Sequence, residues 1–456
     1  MNRIRRAAIA GGMATLLALA ACAPGSPAPE SPEPGATDAE TSEVNTDVAS
    51  MGDVTLTVWD QEVRGGQNAQ LEALNAKFME TYPNITINRN SRSFDDLVMT
   101  LRLALSGDDA PDVVQANNTR SQMGEFVTAG QLVSLDPYMQ AYGWDNRLPE
   151  SVRSVVSYSP DGTTFGEGNL YGVPQVGEVV GVFANQAKMD ELGISTPQTW
   201  ADFEAALATA KEAGETPLML GNLDQWPAVH VFGVVQGQYV DAEQIRALGF
   251  GNAGASWTTP ENTQAAQKLV HWVDAGYFND GINGTGYDPA WQSFADGQAL
   301  FLIAGTWLQA DLSAAMGDDL AFFLPPPAEG ADTTYTTGAS GQPFAITSAA
   351  DNPDAAAAYI DFITNSDAMT VIAENEGLPV IDAADKTAPN ALGQQIFDAY
   401  DEVSTANGLL PYLDWATPTF ADTIGSGLQD LLAKQRTPEQ VLEQFEQDYS
   451  DFTAQG

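Results

Sequence analysis

The chain has 456 residues and a formal net charge of −43 at neutral pH, from 18 Lys or Arg and 61 Asp or Glu. So acidic a chain excludes nonspecific nucleic-acid binding, which needs clustered Lys and Arg, and an anionic membrane surface would repel it. The hydrophobic share of 44% is that of an ordinary globular protein, and the length allows two or three domains or two lobes.

Residues 1–21 form a predicted export signal that ends directly before Cys22, the single cysteine of the chain. Three arginines precede an uncharged apolar run, which is shorter than the ~20 residues of a membrane-spanning helix. The letters LAAC at 19–22 resemble the bacterial lipoprotein signal, in which the cysteine sulfur carries a diacylglycerol. We expect cleavage before Cys22 and a lipid anchor; an ordinary signal peptide with a chance cysteine is the alternative.

Residues 22–52 are predicted to be a disordered linker behind the lipidated cysteine. The stretch 23–50 has five prolines and six acidic residues but no Lys, Arg or aromatic residue. Such a composition cannot bury a core, so we expect an extended spacer that lifts the folded body away from the membrane.

The folded body is predicted to begin at Asp53 with an alternation of strands and helices. Apolar residues alternate at 54–58, a helix follows from about residue 67, and Ile85 and Ile87 begin a second strand. Ser93 and Asp96 are typical of a helix start, and the buried strand 111–114 comes next. This βαβαβ order predicts a parallel sheet wrapped by helices.

The same alternation returns after a glycine-rich break at 162–172. Strands are predicted at 179–183, 217–220 and 300–303, with helix starts at Thr199 and Thr259 and a further helix from Thr306. The chain therefore holds two α/β units.

Catalytic and metal-binding patterns are sparse. His230 and His271 are the only histidines, they form no metal-binding pair, and Cys22 is committed to lipid. Nucleophile-elbow, dinucleotide and phosphate-loop motifs are absent from the sequence, so we expect no cofactor and no metal. A carboxylate pair for glycoside hydrolysis stays open, because 61 acidic residues offer many pairs.

Aromatic residues near predicted strand ends and helix starts are more informative. A sugar ring needs an aromatic plate for its C–H face and amides or carboxylates for its hydroxyls. Tryptophans 59, 226, 257, 291, 307 and 415 lie close to such polar residues, and Asn117 and Asn118 follow the strand 111–114 directly. Open α/β sheets place ligands at this carboxyl edge. Core packing is the alternative for each tryptophan, and we prefer it for Trp200 and Trp272 on helices.

Short segments in a fixed order resemble extracellular solute-binding proteins of the maltose-binding type. They are TVWD at 57–60, YPNI at 82–85, PDVV at 111–114, YGVP at 171–174, VFAN at 182–185, GQAL to GTW at 297–307, and NPDAA to FIT at 352–364. Ala184 replaces the tyrosine that is usual in the family. The resemblance implies an α/β, two-lobed periplasmic-binding-protein-like fold with multiple interlobe crossings. The implied first lobe is 53–165 with about 326–396, and the second is 166–325 with about 397–456.

The resemblance also implies ligand-binding positions. Gln61 and Glu62 follow the first strand, and Asn117 and Asn118 fill the loop after the third. Glu178 lies at the crossover where maltose-type members place a sugar-binding carboxylate. The implied second-lobe positions are Trp226, the stacking residue Trp307, and Asp414 with Trp415 in the segment 411–419.

The implied function is that of a monomeric receptor, not an enzyme, anchored at the extracellular face of the cell membrane. By closing its two lobes, it would deliver an oligosaccharide to the permease of an ATP-binding cassette importer. The subfamily resemblance favours raffinose-type, α-1,6-linked or xylo-oligosaccharides. A tethered glycoside hydrolase and a peptide-binding or adhesion lipoprotein are the alternatives.

Overall fold

The computed structural model describes residues 44–107 and 110–454. The predicted export signal and the lipidated Cys22 lie outside these residues. Among the helices within these two ranges, not one is long and apolar enough to cross a membrane.

Thirteen strands and eighteen α-helices make up the described chain, together with short 3-10 and π-helical turns. The strands are β1 Val54–Asp60, β2 Ile85–Ser91, β3 Val113–Gln115, β4 Ser157–Tyr158, β5 Asn169–Leu170, β6 Val173–Pro174, β7 Gly177–Asn185, β8 Leu218–Met219, β9 Phe301–Gly305, β10 Leu320–Phe323, β11 Thr336–Ser340, β12 Pro343–Ile346 and β13 Leu409–Leu410. The helices are α1 Gly65–Thr81, α2 Phe94–Leu105, α3 Glu125–Thr128, α4 Asp136–Tyr142, α5 Trp144–Arg147, α6 Glu150–Ser154, α7 Gln186–Leu192, α8 Trp200–Glu212, α9 Pro227–Gln236, α10 Ala242–Phe250, α11 Pro260–Asp274, α12 Tyr287–Ala295, α13 Gln309–Met316, α14 Pro353–Thr364, α15 Ser366–Glu374, α16 Ala391–Thr405, α17 Phe420–Leu432 and α18 Pro438–Thr453.

The first sheet has the strand order β2-β1-β3-β12-β6. Its β1 arises from the alternation of Val54, Leu56 and Val58, whose side chains are all buried. Strands β2 and β3 pair with β1 in parallel, but β12 runs antiparallel to β3 and β6. The parallel arrangement predicted from the βαβαβ order is confirmed for β1, β2 and β3, whereas β12 and β6, which were not predicted, extend the sheet in antiparallel pairings. Short buried strands such as β12 carry no sequence signal of their direction.

The second sheet has the order β13-β11-β7-β9-β8, and β10 also pairs with β7. Strand β7 is its centre and runs antiparallel to β9, β10 and β11. Eight of its nine residues are buried, which explains why the segment reads as a continuous apolar run. The chain thus forms two separate mixed sheets.

The predicted helix starts are confirmed. The side chains of Ser93, Thr199 and Thr259 each accept a hydrogen bond from the backbone N–H three residues later. Thr199 and Asp202 complete a reciprocal capping box, with distances of 3.1 Å in both directions.

The folded body begins before the predicted Asp53. Residues 48–51 form a 3-10 turn, Val48 is buried, and Asn84 Nδ2 donates to the carbonyl oxygens of Val48 and Gly52, at 2.9 Å each. The end of the predicted disordered linker is therefore ordered. One buried valine and side-chain-to-backbone hydrogen bonds fix it, and composition cannot reveal such local contacts.

Within the described residues the chain passes between the two sheets three times. The passages fall between β6 and β7, between β11 and β12, and between β12 and β13. The first two lie at residues 175–176 and 341–342, and the lobe boundaries at 166 and about 326 stay a prediction. Multiple crossings bring the ends of strands from both sheets to one central region.

Candidate functional site

A cavity that is partly open to solvent lies where strand ends and loops from both sheets meet. Eight of the nine predicted ligand-binding residues line it: Gln61, Asn117, Asn118, Glu178, Trp226, Trp307, Asp414 and Trp415. These residues come from positions up to 354 apart in the chain, so the fold brings together what the sequence separates.

Five rings form a continuous aromatic wall along one side of the cavity. The wall consists of Trp226, His230, Trp307, Tyr412 and Trp415. Neighbouring ring centroids are 5.1–6.2 Å apart, and all pairs are tilted or edge-to-face. Such an arrangement leaves ring faces available for a flat apolar surface of a ligand.

Trp307 is held in place by contacts that are specific to its position. Its Nε1–H donates to the Tyr287 hydroxyl at 2.5 Å. Gly305 lies beneath the ring, and a Cβ at this position would come within 1.9 Å of it. Glycine at 305 is therefore required for the observed orientation of Trp307.

Glu178, on β7, brings a carboxyl group to the cavity. Its Oε2 accepts a hydrogen bond from the Tyr412 hydroxyl at 3.2 Å. Burial, together with the negative charge of Glu62, raises the pKa of Glu178 to about 8, although Tyr412 and Arg64 act in the opposite direction. In the free protein at neutral pH the group is therefore mostly protonated.

Asp414 supplies a second carboxyl group, from the 3-10 turn Leu413–Trp415. Burial raises the pKa of Asp414 to about 6. Within the described chain, its carboxylate accepts no hydrogen bond from another residue and pairs with no Lys or Arg. It is thus a half-buried acceptor available to a ligand.

Amides and a hydroxyl complete the polar lining. Asn117 and Asn118 follow β3, and Asn118 is fixed by a bond from its Nδ2 to the Val155 carbonyl, at 2.7 Å. Ser340 Oγ and His230 Nδ1 are buried and have no hydrogen-bond partner among the described residues. Burial lowers the pKa of His230 to about 3, so the ring is neutral. Unpartnered buried polar atoms that line a cavity favour a bound ligand.

Glu62 is the one predicted residue that does not line the cavity. Its Oε1 accepts from Gln115 Nε2 at 2.8 Å, and its carbonyl oxygen accepts from Arg89 at 2.8 Å. Burial raises the pKa of Glu62 to about 7. Its position after β1 suggested ligand contact. The hydrogen bond from Gln115 directs the carboxyl group away from the cavity lining, so Glu62 acts on the cavity only through its charge.

Three tryptophans near polar residues lie away from the cavity. Trp257 is buried and stacks on Phe420 at 5.2 Å. The Arg92 guanidinium covers the Trp59 ring at 3.8 Å, and Trp291 donates to a surface aspartate. A polar neighbourhood in sequence therefore does not distinguish a site tryptophan from a structural one.

Eight further residues line the cavity that were not predicted from the sequence: Arg64, Gln67, Phe94, Val229, His230, Ser340, Gln342 and Tyr412. Two of them had a detectable signal. Tyr412 lies in the segment 411–419 already connected with the site, and His230 is one turn from Trp226 on α9. Ser340 is the last residue of β11, and Gln342 lies in the passage from β11 to β12. The sequence did not predict these two strands, so it gave no signal for either residue.

One cation lies at the cavity. Arg64 is the only Lys or Arg among the lining residues, and its guanidinium pairs with Asp288 at 3.0 Å. Within the described ranges, no group of three or more His, Cys, Asp or Glu could hold a metal ion. The site therefore offers aromatic faces, hydrogen-bonding groups and excess negative charge.

Residues 63–370 match the family of bacterial extracellular solute-binding proteins. The multiple sugar-binding protein of Streptococcus mutans is 23% identical over 341 residues, which cover 72% of this chain and 75% of that protein. Two solved structures share the fold. A chitin oligosaccharide binding protein has a TM-score of 0.75 and 22% identity, over 88% of this chain and 99% of that one. A protein from work on xylan utilization by Caldanaerobius polysaccharolyticus has a TM-score of 0.72 and 24% identity, over 86% and 99%.

Proposed function

Since the chain belongs to the family of bacterial extracellular solute-binding proteins, we propose that it binds an oligosaccharide in the central cavity and delivers it to the permease of an ATP-binding cassette importer. The observation that carries the proposal is that the aromatic wall and a set of amide and carboxyl groups line one cavity. Sugar rings have apolar faces and hydroxyl rims, and this pairing of surfaces is complementary to them.

The named relatives support a saccharide in general rather than one particular sugar. Their names refer to multiple sugars, chitin oligosaccharide and xylan. Raffinose-type, α-1,6-linked and xylo-oligosaccharides are the neutral candidates with which a search begins.

The proposed mechanism is closure of two lobes, one built on each sheet, around the ligand. We propose that the lobes join at residues 175–176 and 341–342, with a last passage before β13. A ligand that contacts both lobes shifts the equilibrium toward the closed arrangement. The free energy of this shift equals the difference between the binding free energies of the ligand for the closed and open states. We expect the receptor to act as a monomer.

A thermal-shift panel of mono- to tetrasaccharides tests the proposal. At a ligand concentration of about 100 times Kd, binding adds ~2.7 kcal/mol to the free energy of unfolding and raises Tm by about 3 °C. We expect such a shift with a subset of oligosaccharides and none with peptides. A shift with peptides alone would favour a peptide-binding lipoprotein, and shortened products would favour a glycoside hydrolase.

Lipid anchoring through Cys22 completes the proposal. We expect the intact protein in the membrane fraction, since two or three acyl chains anchor a protein more stably than one chain. The Cys22→Ser variant is expected to leave that fraction, whereas Ser26→Ala in the same segment is not. Fractionation with immunoblotting measures this, and a Cys22→Ser variant that stays with the membrane would refute the anchor.

A further inference from the structure

Carboxyl groups around the cavity outnumber the positive charges available to balance them in their ionised form. The positive charge of Arg64 acts on four carboxyl groups besides that of its partner Asp288, namely Glu62, Asp95, Glu178 and Asp311. One guanidinium therefore faces five carboxyl groups, and the other lining residues add no further Lys or Arg.

Glu178 and Asp414 are the two carboxyl groups that reach the cavity itself. Glu178 accepts a hydrogen bond only from the neutral Tyr412 hydroxyl, and neither group forms an ion pair among the described residues. Both act electrostatically on Tyr412, so both lie near the aromatic wall. A partly desolvated carboxylate without a cation is unfavourable, so each group is stabilised when a positive charge arrives.

The aromatic wall provides a second, independent attraction for a cation. The negative faces of tryptophan and tyrosine rings attract an ammonium group within about 6 Å. Rings and carboxylates together form the usual environment of a bound amine. The unpartnered Ser340 Oγ and His230 Nδ1 on the same cavity leave hydrogen-bonding capacity for neighbouring hydroxyls.

We propose that the preferred ligand is a saccharide with a protonated amine, and that Glu178 and Asp414 hold its ammonium group against the aromatic wall. This inference rests on the proposed function, because it specifies the chemistry of the ligand in the same cavity.

The acidic surroundings of the cavity agree with such a ligand. Asp95 follows the lining residue Phe94, and its pKa is raised by partial burial and by the charges of Asp224 and Asp288. These acidic groups and the net charge of −43 attract cations toward the cavity. A neutral sugar can bond the same carboxyl groups but does not compensate their charge.

The pH dependence follows from the groups that face the two carboxyls. Those groups are Glu62, Arg64, Tyr287, Tyr400 and Tyr412. The pKa of Glu178 is raised to about 8 and that of Asp414 to about 6, so the free protein holds protons that an ammonium displaces. Binding of a protonated amine therefore releases protons, and the affinity for the amine rises from pH 6 to pH 7. The affinity for a neutral sugar does not rise over this range.

The test is a calorimetric titration with matched ligands: β-1,4-linked glucosamine oligomers, their N-acetylated forms and glucose oligomers of equal length. A charge-assisted hydrogen bond adds about 1.5–3 kcal/mol, so we expect the amine form to bind about 10- to 100-fold tighter at pH 6. Titrations in two buffers of different ionisation enthalpy are expected to reveal proton release with the amine form alone.

Two charge-neutralising variants test the residues, and a third is the control. In Glu178→Gln and in Asp414→Asn the preference for the amine form is expected to fall at least about fivefold. Asp318→Asn removes the same charge on an exposed turn outside the cavity lining and is expected to keep the preference. Circular dichroism checks folding, and Asp414→Asn decides the matter if Glu178→Gln does not fold.

Two results would separate the inference from the proposed function. If neutral oligomers bind as tightly as the amine form, or if both variants keep the preference, the amine inference is wrong and the saccharide function stands. If neither these oligomers nor the neutral panel binds, the proposed function fails as well.

Discussion

Replacing Trp307 with alanine is expected to weaken saccharide binding at least about 30-fold while the protein stays folded. Trp307 belongs to the aromatic wall, 5.4 Å from His230 and 6.2 Å from Trp226 between ring centroids. Residues that dominate a binding site typically cost about 2 kcal/mol or more when truncated to alanine, which corresponds to this factor. Titration calorimetry with the best saccharide measures the change.

A matched variant separates stacking from packing. Trp200 is the matched residue, because its ring stacks on Trp272 with 5.7 Å between the ring centroids and does not line the cavity. Trp200→Ala is expected to lower Tm and to leave saccharide affinity within about twofold. Trp307→Phe, which keeps a ring but loses the bond to Tyr287, is expected to retain part of the affinity. Unchanged affinity in Trp307→Ala would remove this residue from the site.

Replacing Gly66 with valine is expected to weaken binding about 10- to 100-fold by separating two helices. Gly66 lies in the first turn of α1, and a Cβ there would be 2.4 Å from the Ala310 Cβ on α13. Helix α1 follows β1 of the first sheet, and α13 follows β9 of the second sheet. Their contact therefore connects the parts of the site that are built on the two sheets. Overpacking of such a contact costs about 1–3 kcal/mol. Calorimetry measures the affinity, and small-angle scattering measures the radius of gyration with saturating saccharide.

Gly284→Val is the control, because a Cβ at Gly284 meets no atom within 4 Å. It is expected to bind and to scatter like the unaltered protein, whereas Gly66→Val is expected to stay more extended with ligand. Equal affinity and equal radius in Gly66→Val would show that the α1–α13 contact is not part of the ligand-bound arrangement.

Some of the strands and helices could be predicted because their signals are local. The alternation of Val54, Leu56 and Val58 predicts β1, and Thr199 with Asp202 predicts the start of α8. The directions of β7 and β12 could not be predicted, because a short buried strand has the same pattern in parallel and antiparallel sheets. The ordered start of the body depends on Asn84, which is distant in sequence from the turn that it fixes.

The candidate site was predictable where a polar or aromatic residue directly follows a strand. Asn117, Asn118 and Trp307 are of this kind, and the family resemblance added Glu178 within the crossover. His230 and Tyr412 were missed because burial, not residue type, gives them their place in the aromatic wall. Glu62 has the expected position in sequence, but a hydrogen bond to Gln115 directs its carboxyl group away from the cavity lining.

The most direct test of the proposed saccharide binding is a crystal structure of the protein with the saccharide that gives the largest thermal shift. We predict one intact saccharide in the central cavity, with a sugar ring stacked on Trp307 and hydrogen bonds to Glu178 and to Asn117 or Asn118. A saccharide bound elsewhere on the surface, or found cleaved in the cavity, would contradict it.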